Sequence, residues 1–239
     1  MVRTYDTYGV PYAESQGRFR EALEIIRRAW TGEPFSYEGE HYRVQNATVA
    51  PRPIQVPHPP IRMAATSDET FPAAGRLGLP IFVGLRATEI SDLQDQLAPY
   101  REAWREAGHP GEPSVYLRIP VYASPTARGA VEEPRESLTA FFARQTELAR
   151  LAVGRAGAGP ADRRRFQAER MASLSYEDIL ARKVVFGTAP AIVDRLRELR
   201  ELLRLDGIVA ELNPGGRIPP RLEARSFEIL AREVVPALK

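Results

Sequence analysis

From residue 61 onward the chain alternates short aliphatic runs with amphipathic stretches, and this alternation constrains its fold more than any other feature. Residues 61–65, 81–84, 115–123 and 208–212 read as strands. Between and after them come helical patterns. A short helix is predicted to end at Gly78, and a longer one, from about Thr88 to Ala107, carries Ile90, Leu93, Leu97, Tyr100 and Trp104 on one face. A helical region is predicted from about Ala130, then a helix marked by Ile192, Leu196, Leu199 and Leu203, and a last one running through Phe227 and Leu230 to Val235. Strands that alternate with helices imply a parallel α/β sheet, because parallel neighbours need a crossover connection.

Before this pattern the reading differs. Residues 1–13 are polar, aromatic and turn-rich. Phe19, Leu23, Ile26 and Trp30 then mark an amphipathic helix that Thr31, Gly32 and Pro34 stop. FSYEGEHYRV reads as a hairpin turning at Glu38-Gly39, and the five prolines between residues 51 and 60 as an extended connector. The expected organisation is one α/β domain over residues 1–239 with a helical insertion at 125–183. Leu138, Phe141, Phe142 and Leu148 suggest one helix of the insertion, and Tyr176, Ile179 and Leu180 another. VGRAGAGPADRRR, between them, reads as a mobile loop.

Composition narrows the function classes. The balance of 33 basic and 31 acidic side chains gives a formal net charge of +2, with no clustered basic and aromatic surface for nucleic acid. The absence of cysteine removes disulfides, thiolate nucleophiles and cysteine-bound metals. No apolar run is long enough to cross a membrane as a helix, and the opening MVRTYDTYGVPYAE lacks the apolar core of a signal peptide. The expected location is the cytoplasm. His41, His58 and His109 lack metal-ligand spacing, so no metal is expected. GxGxxG, P-loop and GxSxG motifs are absent.

The stretch IRMAATSDET, residues 61–70, combines the features of an anion site. A strand hands over to a helix through small polar residues. Ser67 is predicted as N-cap of a helix starting at Asp68, and Thr70 adds a second hydroxyl. An ordinary capped helix explains the same residues, and Asp68 and Glu69 would repel a phosphate that faced them. Two other places stay open between a ligand and a structural role. Arg118, Pro120 and Tyr122 share one strand face, either inside a barrel or on its outer edge. Asn213-Pro214-Gly215-Gly216 follows the last strand, where glycines serve a close ligand approach or a tight turn.

Four parallel strands leave open edges, whereas a closed barrel of this type needs eight strand–helix units over typically about 250 residues. The order of segments resolves this. GVPYAESQGRFREALEIIRRAWTGEPFSYEGEHYRV, PRPIQVPHPPIRMAATSDET, GLPIFVG, FGTAPAIVDRLRELRELLRLDGIVAELNPGG and SFEILAREVVPAL together resemble the bacterial luciferase-like flavin monooxygenases. The resemblance implies a (β/α)8 TIM-barrel type fold, here a partial barrel of four parallel strands with surrounding helices. The family's first four strands, with the ring-contacting residues and a histidine important in several members, would precede Met1.

The resemblance further implies a luciferase-like, flavin-dependent oxidoreductase, most simply a monooxygenase that uses reduced FMN and dioxygen on a small organic substrate. Its flavin would come from a separate flavin reductase. The alternative coenzyme is a deazaflavin, serving a dehydrogenase or reductase on the same scaffold. By resemblance Ala65, Thr66, Ser67 and Thr70 form the loop that holds the coenzyme phosphate; no catalytic residue is assigned. A different class of reading is a non-catalytic half-barrel that pairs with itself as a homodimer or with a complementary half-barrel chain.

Overall fold

The computed structural model describes residues 2–153 and 161–239. Its contacts divide it into two compact units, one from residues 1–61 and 151–164, the other from residues 62–150 and 165–239.

In the first unit, residues expected to be irregular open with a short helix, α1 (Val2–Thr7). The amphipathic stretch forms α2 (Ser15–Ala29), and Gly32, at a φ of +73°, lets the chain leave it. The hairpin pairs β1 (Phe35–Glu38) with β2 (Arg43–Ala47). Three backbone N–H groups of its turn, from Glu40, His41 and Tyr42, donate to the Glu21 carboxylate on α2. Burial works against that charge, but the three donors outweigh it and hold the Glu21 carboxyl below its usual range.

The remaining elements are β3 (Met63–Ala64), α3 (Thr70–Arg76), β4 (Ile81–Gly84), α4 (Ile90–Glu106), β5 (Val115–Ala123), α5 (Ala127–Glu132), α6 (Arg135–Ala152), α7 (Ala161–Ala172), α8 (Tyr176–Arg182), β6 (Val185–Gly187), α9 (Ala189–Leu203), β7 (Gly207–Glu211), α10 (Pro220–Ile229) and α11 (Val235–Ala237). A π-helical turn, Leu230–Val234, joins α10 to α11. The strands make one parallel sheet. The expected parallel α/β sheet with surrounding helices is therefore present, but it has five strands rather than four. The extra strand is β6, whose three residues are too few to show a period of their own.

Strand β5 organises the sheet. Tyr116 and Arg118 pair with β4, while Asp206 at the head of β7 donates its N–H to the Val115 carbonyl. Beyond the end of β4, β6 takes over beside Val121–Ala123, and Ser124 donates to the Gly187 carbonyl at 3.0 Å. On the other flank the Ala123 N–H finds the Ser226 hydroxyl of α10 at 2.8 Å. A nine-residue strand thus serves partners shorter than itself, and a side chain satisfies the backbone donor that no strand reaches.

Alternation along β5 separates two faces. Val115, Leu117, Ile119 and Val121 are at most 2% exposed and join Ile81, Val83 and Leu85 against the helices. Each such side chain contributes roughly 1.5–3 kcal/mol of burial. From α9 come Ile192, Leu196, Leu199 and Leu203, and from α4 Leu93, Leu97 and Tyr100, as their helical spacing predicts. Gly75 lets α3 lie directly against the Tyr100 carbonyl of α4, where a Cβ would collide.

The helices between β5 and β6 help to build a second, smaller core. Leu138 and Phe142 of α6 meet Ile179 of α8 and Val184. Residues 154–160 of the loop expected at VGRAGAGPADRRR lie outside the described residues, whereas its ADRRR half opens α7 instead. Among the described residues β3 and β7 each pair with one strand only, and no closed barrel forms. Beside β7 an apolar groove of about 610 Å³ runs between Ile208, Ala210 and Leu212, α9 and the C-terminal helices. No helix among the described residues is long and apolar enough to cross a membrane.

One buried cation ties the end of α8 to the start of α4. Lys183, only 2% exposed, donates to Glu89 Oε1 at 2.7 Å and to the Thr88 carbonyl at 3.0 Å. Arg170 and Arg182 reach the same carboxylate, at 3.3 and 3.6 Å. Burial alone would raise the Glu89 pKa, but the Lys183 hydrogen bond and the three cations hold it below its ordinary value. Because its folded pKa is depressed, Glu89 contributes stability above the unfolded value near pH ~4.3, and that contribution is lost as pH falls through the folded value. Lys183→Met is expected to lower the unfolding free energy at pH 7 by about 3 kcal/mol and to move the acid unfolding limb upward. Urea and acid titrations followed by circular dichroism check this. Unchanged midpoints in both would refute the clamp.

Candidate functional site

The face of the sheet turned away from the helices is polar. Alternation and register give it three rows of side chains. Ala64, Phe82, Tyr116 and Gly207 form the lowest. Gly84, Arg118 and Val209 form the next, and continuing the β3–β4 register beyond Ala65, whose N–H donates to the Phe82 carbonyl, adds Thr66 to that row. Pro120 and Glu211 form the last, nearest the C-terminal ends of the strands, and the same alternation past Gly84 brings Arg86 beside them. Successive rows of this kind lie about 6.6 Å apart. A sheet whose other face is almost wholly aliphatic here presents two arginines, a glutamate, a threonine and a tyrosine.

Sequence alternation placed Arg118, Pro120 and Tyr122 together, and the structure keeps them on this inner face. Arg118 is exposed and pairs with Glu211 across the β5–β7 ladder. Tyr122 is fully buried, its hydroxyl donating to Glu133 Oε2 at 2.7 Å, and Arg225 donates to the same oxygen at 2.6 Å. Burial, together with Glu133, pushes the Tyr122 phenol up to about 12, so it stays protonated and structural near neutral pH. Lower on the face, Arg62 lies over the Tyr116 ring, 4.5 Å from its centroid.

Arg86 and Glu211 were not singled out in the sequence. Arg86 sits just past the end of β4, where the strand pattern stops but its alternation continues. It is half-buried, donates to Gln145 of α6 at 3.2 Å, and has no carboxylate within 4 Å among the described residues. Burial first, then the neighbouring Arg118, lowers its pKa, and Glu211 opposes them.

The loop after β3 departs from expectation at its helix. Helix α3 starts at Thr70 rather than Asp68, and its N-cap is Glu69, whose side chain makes no capping bond. A turn closed by Thr70 N–H on the Ser67 carbonyl, at 2.9 Å, precedes it. Pro72 supplies the physical reason. Lacking an N–H, it fits best in the first helical turn, and a start at Asp68 would have placed it two residues deeper, in the second turn. Ser67 is therefore no N-cap. Its hydroxyl instead meets Thr70 Oγ1 at 2.7 Å. Ala65 is buried beneath the loop, Thr66 is exposed, and the backbone N–H groups of Thr66 and Ser67 make no hydrogen bond among the described residues. The Asp68 carboxylate accepts from Gln96 of α4 at 2.8 Å.

Two sequence candidates resolve as structural. In Asn213-Pro214-Gly215-Gly216 both glycines have positive φ, and Gly215 lies so close to the Ser137 carbonyl that a Cβ would collide. Ser137 donates to the Pro214 carbonyl at 2.6 Å and Asn213 braces Ile218, so the close approach is to protein. The histidines also have local roles. His41 lies against Glu14, His58 against the Trp30 ring, and His109 bonds the Arg76 carbonyl. Among the described residues no group of three or more His, Cys, Asp or Glu side chains is arranged to hold a metal.

A parallel sheet with helices on one face, a polar opposite face and loops gathered at its C-terminal end defines a barrel-type α/β scaffold. The luciferase-like monooxygenase family matches residues 3–205, and the chain belongs to that family. It is 30% identical over 139 residues to an FMNH2-dependent dimethylsulfone monooxygenase of Pseudomonas putida, a match covering 57% of this chain and 36% of that protein. It is 40% identical over 73 residues to an F420-dependent glucose-6-phosphate dehydrogenase of Kineococcus radiotolerans, covering 29% of this chain and 21% of that protein.

Two solved structures share the fold. Monooxygenase RslO1 from Streptomyces bottropensis superposes with a TM-score of 0.72 at 22% identity, over 99% of this chain and 66% of that one. The oxygenating constituent of 3,6-diketocamphane monooxygenase from Pseudomonas putida, in complex with FMN, gives 0.72 at 19% identity, over 92% and 62%. The matches thus span less than two thirds of these relatives' own lengths.

The inner-face charges generate a stability test. Glu211→Gln removes the carboxylate that faces both arginines. A loss of about 1 kcal/mol is expected at low ionic strength, since the Arg118 side of the pair is exposed. The loss should shrink as salt screens the arginines from each other. Thermal melts at two ionic strengths check it, and a salt-independent difference would count against electrostatic coupling.

Proposed function

We propose that this chain carries the coenzyme-binding end of a flavin-dependent monooxygenase that uses reduced FMN and dioxygen on a small organic substrate. When bound, reduced FMN supplies the electrons with which one oxygen atom of dioxygen enters the substrate and the other leaves as water. The observation that carries this reading is the Ser67–Thr70 hydroxyl pair at the C-terminal end of a parallel strand, opening onto a polar sheet face, in a chain of this family.

In this reading Ala65, Thr66, Ser67 and Thr70 hold the coenzyme phosphate. The two hydroxyls exchange their mutual hydrogen bond for bonds to phosphate oxygens, and the Thr66 and Ser67 N–H groups add donors. These residues fit the group, because the two hydroxyls engage each other and, among the described residues, no acceptor engages the Thr66 and Ser67 N–H groups. Of the two acidic side chains between Ser67 and Thr70, Asp68 is engaged by Gln96, and Glu69, the N-cap of α3, makes no capping bond. Fixing the phosphate on β3 would orient the coenzyme along the inner face, where substrate and oxygen meet it.

The likeness to the FMNH2-dependent enzyme extends over 139 residues, against 73 for the F420-dependent one, and this favours FMN. The 40% identity of the shorter stretch supports a deazaflavin coenzyme as the second reading, with hydride transfer in place of oxygenation. Delivery of reduced FMN by a separate flavin reductase belongs to the same proposal. So does a partner for the open sheet edges, either a second copy or a complementary half-barrel chain, which analytical ultracentrifugation would register.

The test is a fluorescence titration of the purified chain with FMN and with the deazaflavin coenzyme F420. FMN is expected to bind in the micromolar range, and the Ser67→Ala/Thr70→Ala variant to bind roughly tenfold or more weakly. Preference for the deazaflavin would transfer the reading to the second coenzyme. A folded chain that binds neither would overturn it.

A further inference from the structure

We infer that the inner face binds an anionic group of the organic substrate between Arg86 and Arg118, so that the substrate is an organic acid. This rests on the flavin-dependent reading and names the substrate class of the same face. Three observations carry it.

The first is charge. Arg86, Arg118 and Glu211 lie on neighbouring rows of one sheet face, two cations to one anion. Glu211 is the only carboxylate within 4 Å of either guanidinium among the described residues, and it is bound to Arg118. Arg86 has only the neutral Gln145 oxygen. The face therefore keeps one positive charge in excess at its upper rows.

The second is burial. Arg86 is half-buried beside a like charge, and Glu211, which is bound to Arg118, offsets that cost only in part. The adjacent Leu85 enters the core and Arg86 does not; among the described residues its one hydrogen-bond partner is the neutral Gln145 side chain. An arginine retained at that cost offers a planar fork suited to a carboxylate or sulfonate.

The third is room. Gly84 stands between Thr66 and Arg118 in the row below, and a Cβ there would meet nothing nearer than the Arg118 carbonyl at 3.4 Å. The floor beneath the arginines is thus bare backbone, while the phosphate loop begins at its edge with Thr66. An acid group held at the arginines would place the attached carbon chain over that floor.

The shared chemistry is recognition of an oxyanion, and the coenzyme phosphate is its other source. Calorimetric titration of the chain, with and without FMN, using hexanesulfonate, hexanoate and the neutral hexanamide as probes, separates the two. The acids are expected to bind roughly tenfold or more tightly than the amide. Arg86→Gln should erase that preference, Arg86→Lys should keep part of it, and neither should alter the affinity ratio of FMN to riboflavin. Melting curves confirm that each variant folds. Equal binding of acid and amide, or no acid binding by the folded wild-type chain, would overturn the inference. So would an Arg86→Gln variant that loses FMN but not riboflavin, which would assign Arg86 to the coenzyme phosphate. Acid preference without any FMN binding would leave the anion site standing and remove the flavin reading instead.

Discussion

The structure depends on a single alternation, that of Val115–Ala123. Odd-numbered residues of this strand are aliphatic and lie against helices; even-numbered ones are Tyr116, Arg118, Pro120 and Tyr122. A shift of one residue in its pairing would bury Arg118 among leucines and expose Leu117 and Ile119. The register is therefore fixed by burial, and because β4, β6 and β7 all pair with this strand, their faces are fixed with it. The polar rows exist because the apolar rows cannot lie anywhere else.

Once the register is set, what remains is to hold the connections at the C-terminal ends of the strands. They use buried polar groups rather than apolar packing. Lys183 grips the Thr88 carbonyl and Glu89, which places the segment carrying Arg86 under restraint from both ends, β4 below and α4 above. Ser137 and Asn213 do the same for the segment after β7, just beyond Glu211. Each depends on a group with no apolar substitute, because the atoms restrained are backbone carbonyls and N–H groups that need partners. The arginine–glutamate cluster is thereby mounted on segments whose backbone is fixed.

How much of this was legible follows from the length of each signal. The long strand and the helices of α4 and α9 declared themselves through repeated apolar spacing, and so did the parallel sheet they build. Strand β6 did not, because its three residues, Val185–Gly187, carry no period. Arg118 was legible for the same reason as its strand, while Arg86 lay two residues beyond the end of β4 and read as loop. The start of α3 carries a signal in Pro72, which favours a start at Thr70 over one at Asp68 despite the cap that Ser67 offers. Lys183 was invisible, since its burial is created by Glu89, 94 positions away in the chain.

Exposure of a polar sheet face to solvent would be an adequate account of the inner rows if their side chains behaved as surface groups. They do not. A solvent face favours mobile, well-hydrated side chains whose charges are paired or far apart. Here Pro120 and Tyr122 are buried, Tyr116 is half-covered and stacked by Arg62, and Arg86 is held against Gln145 next to a second arginine. Ring contacts with Phe186 and Phe82 offset the cost of ordering Tyr122 and Tyr116; at Arg86 the lost side-chain entropy and the repulsion from Arg118 are opposed by Gln145 and Glu211 alone. The two hydroxyls of Ser67 and Thr70, spending their hydrogen bond on each other at the rim, follow the same pattern. The groups on this face that lack a full set of partners, the Arg86 guanidinium and the Thr66 and Ser67 N–H groups, are donors, which is the chemistry the proposed anionic ligands require.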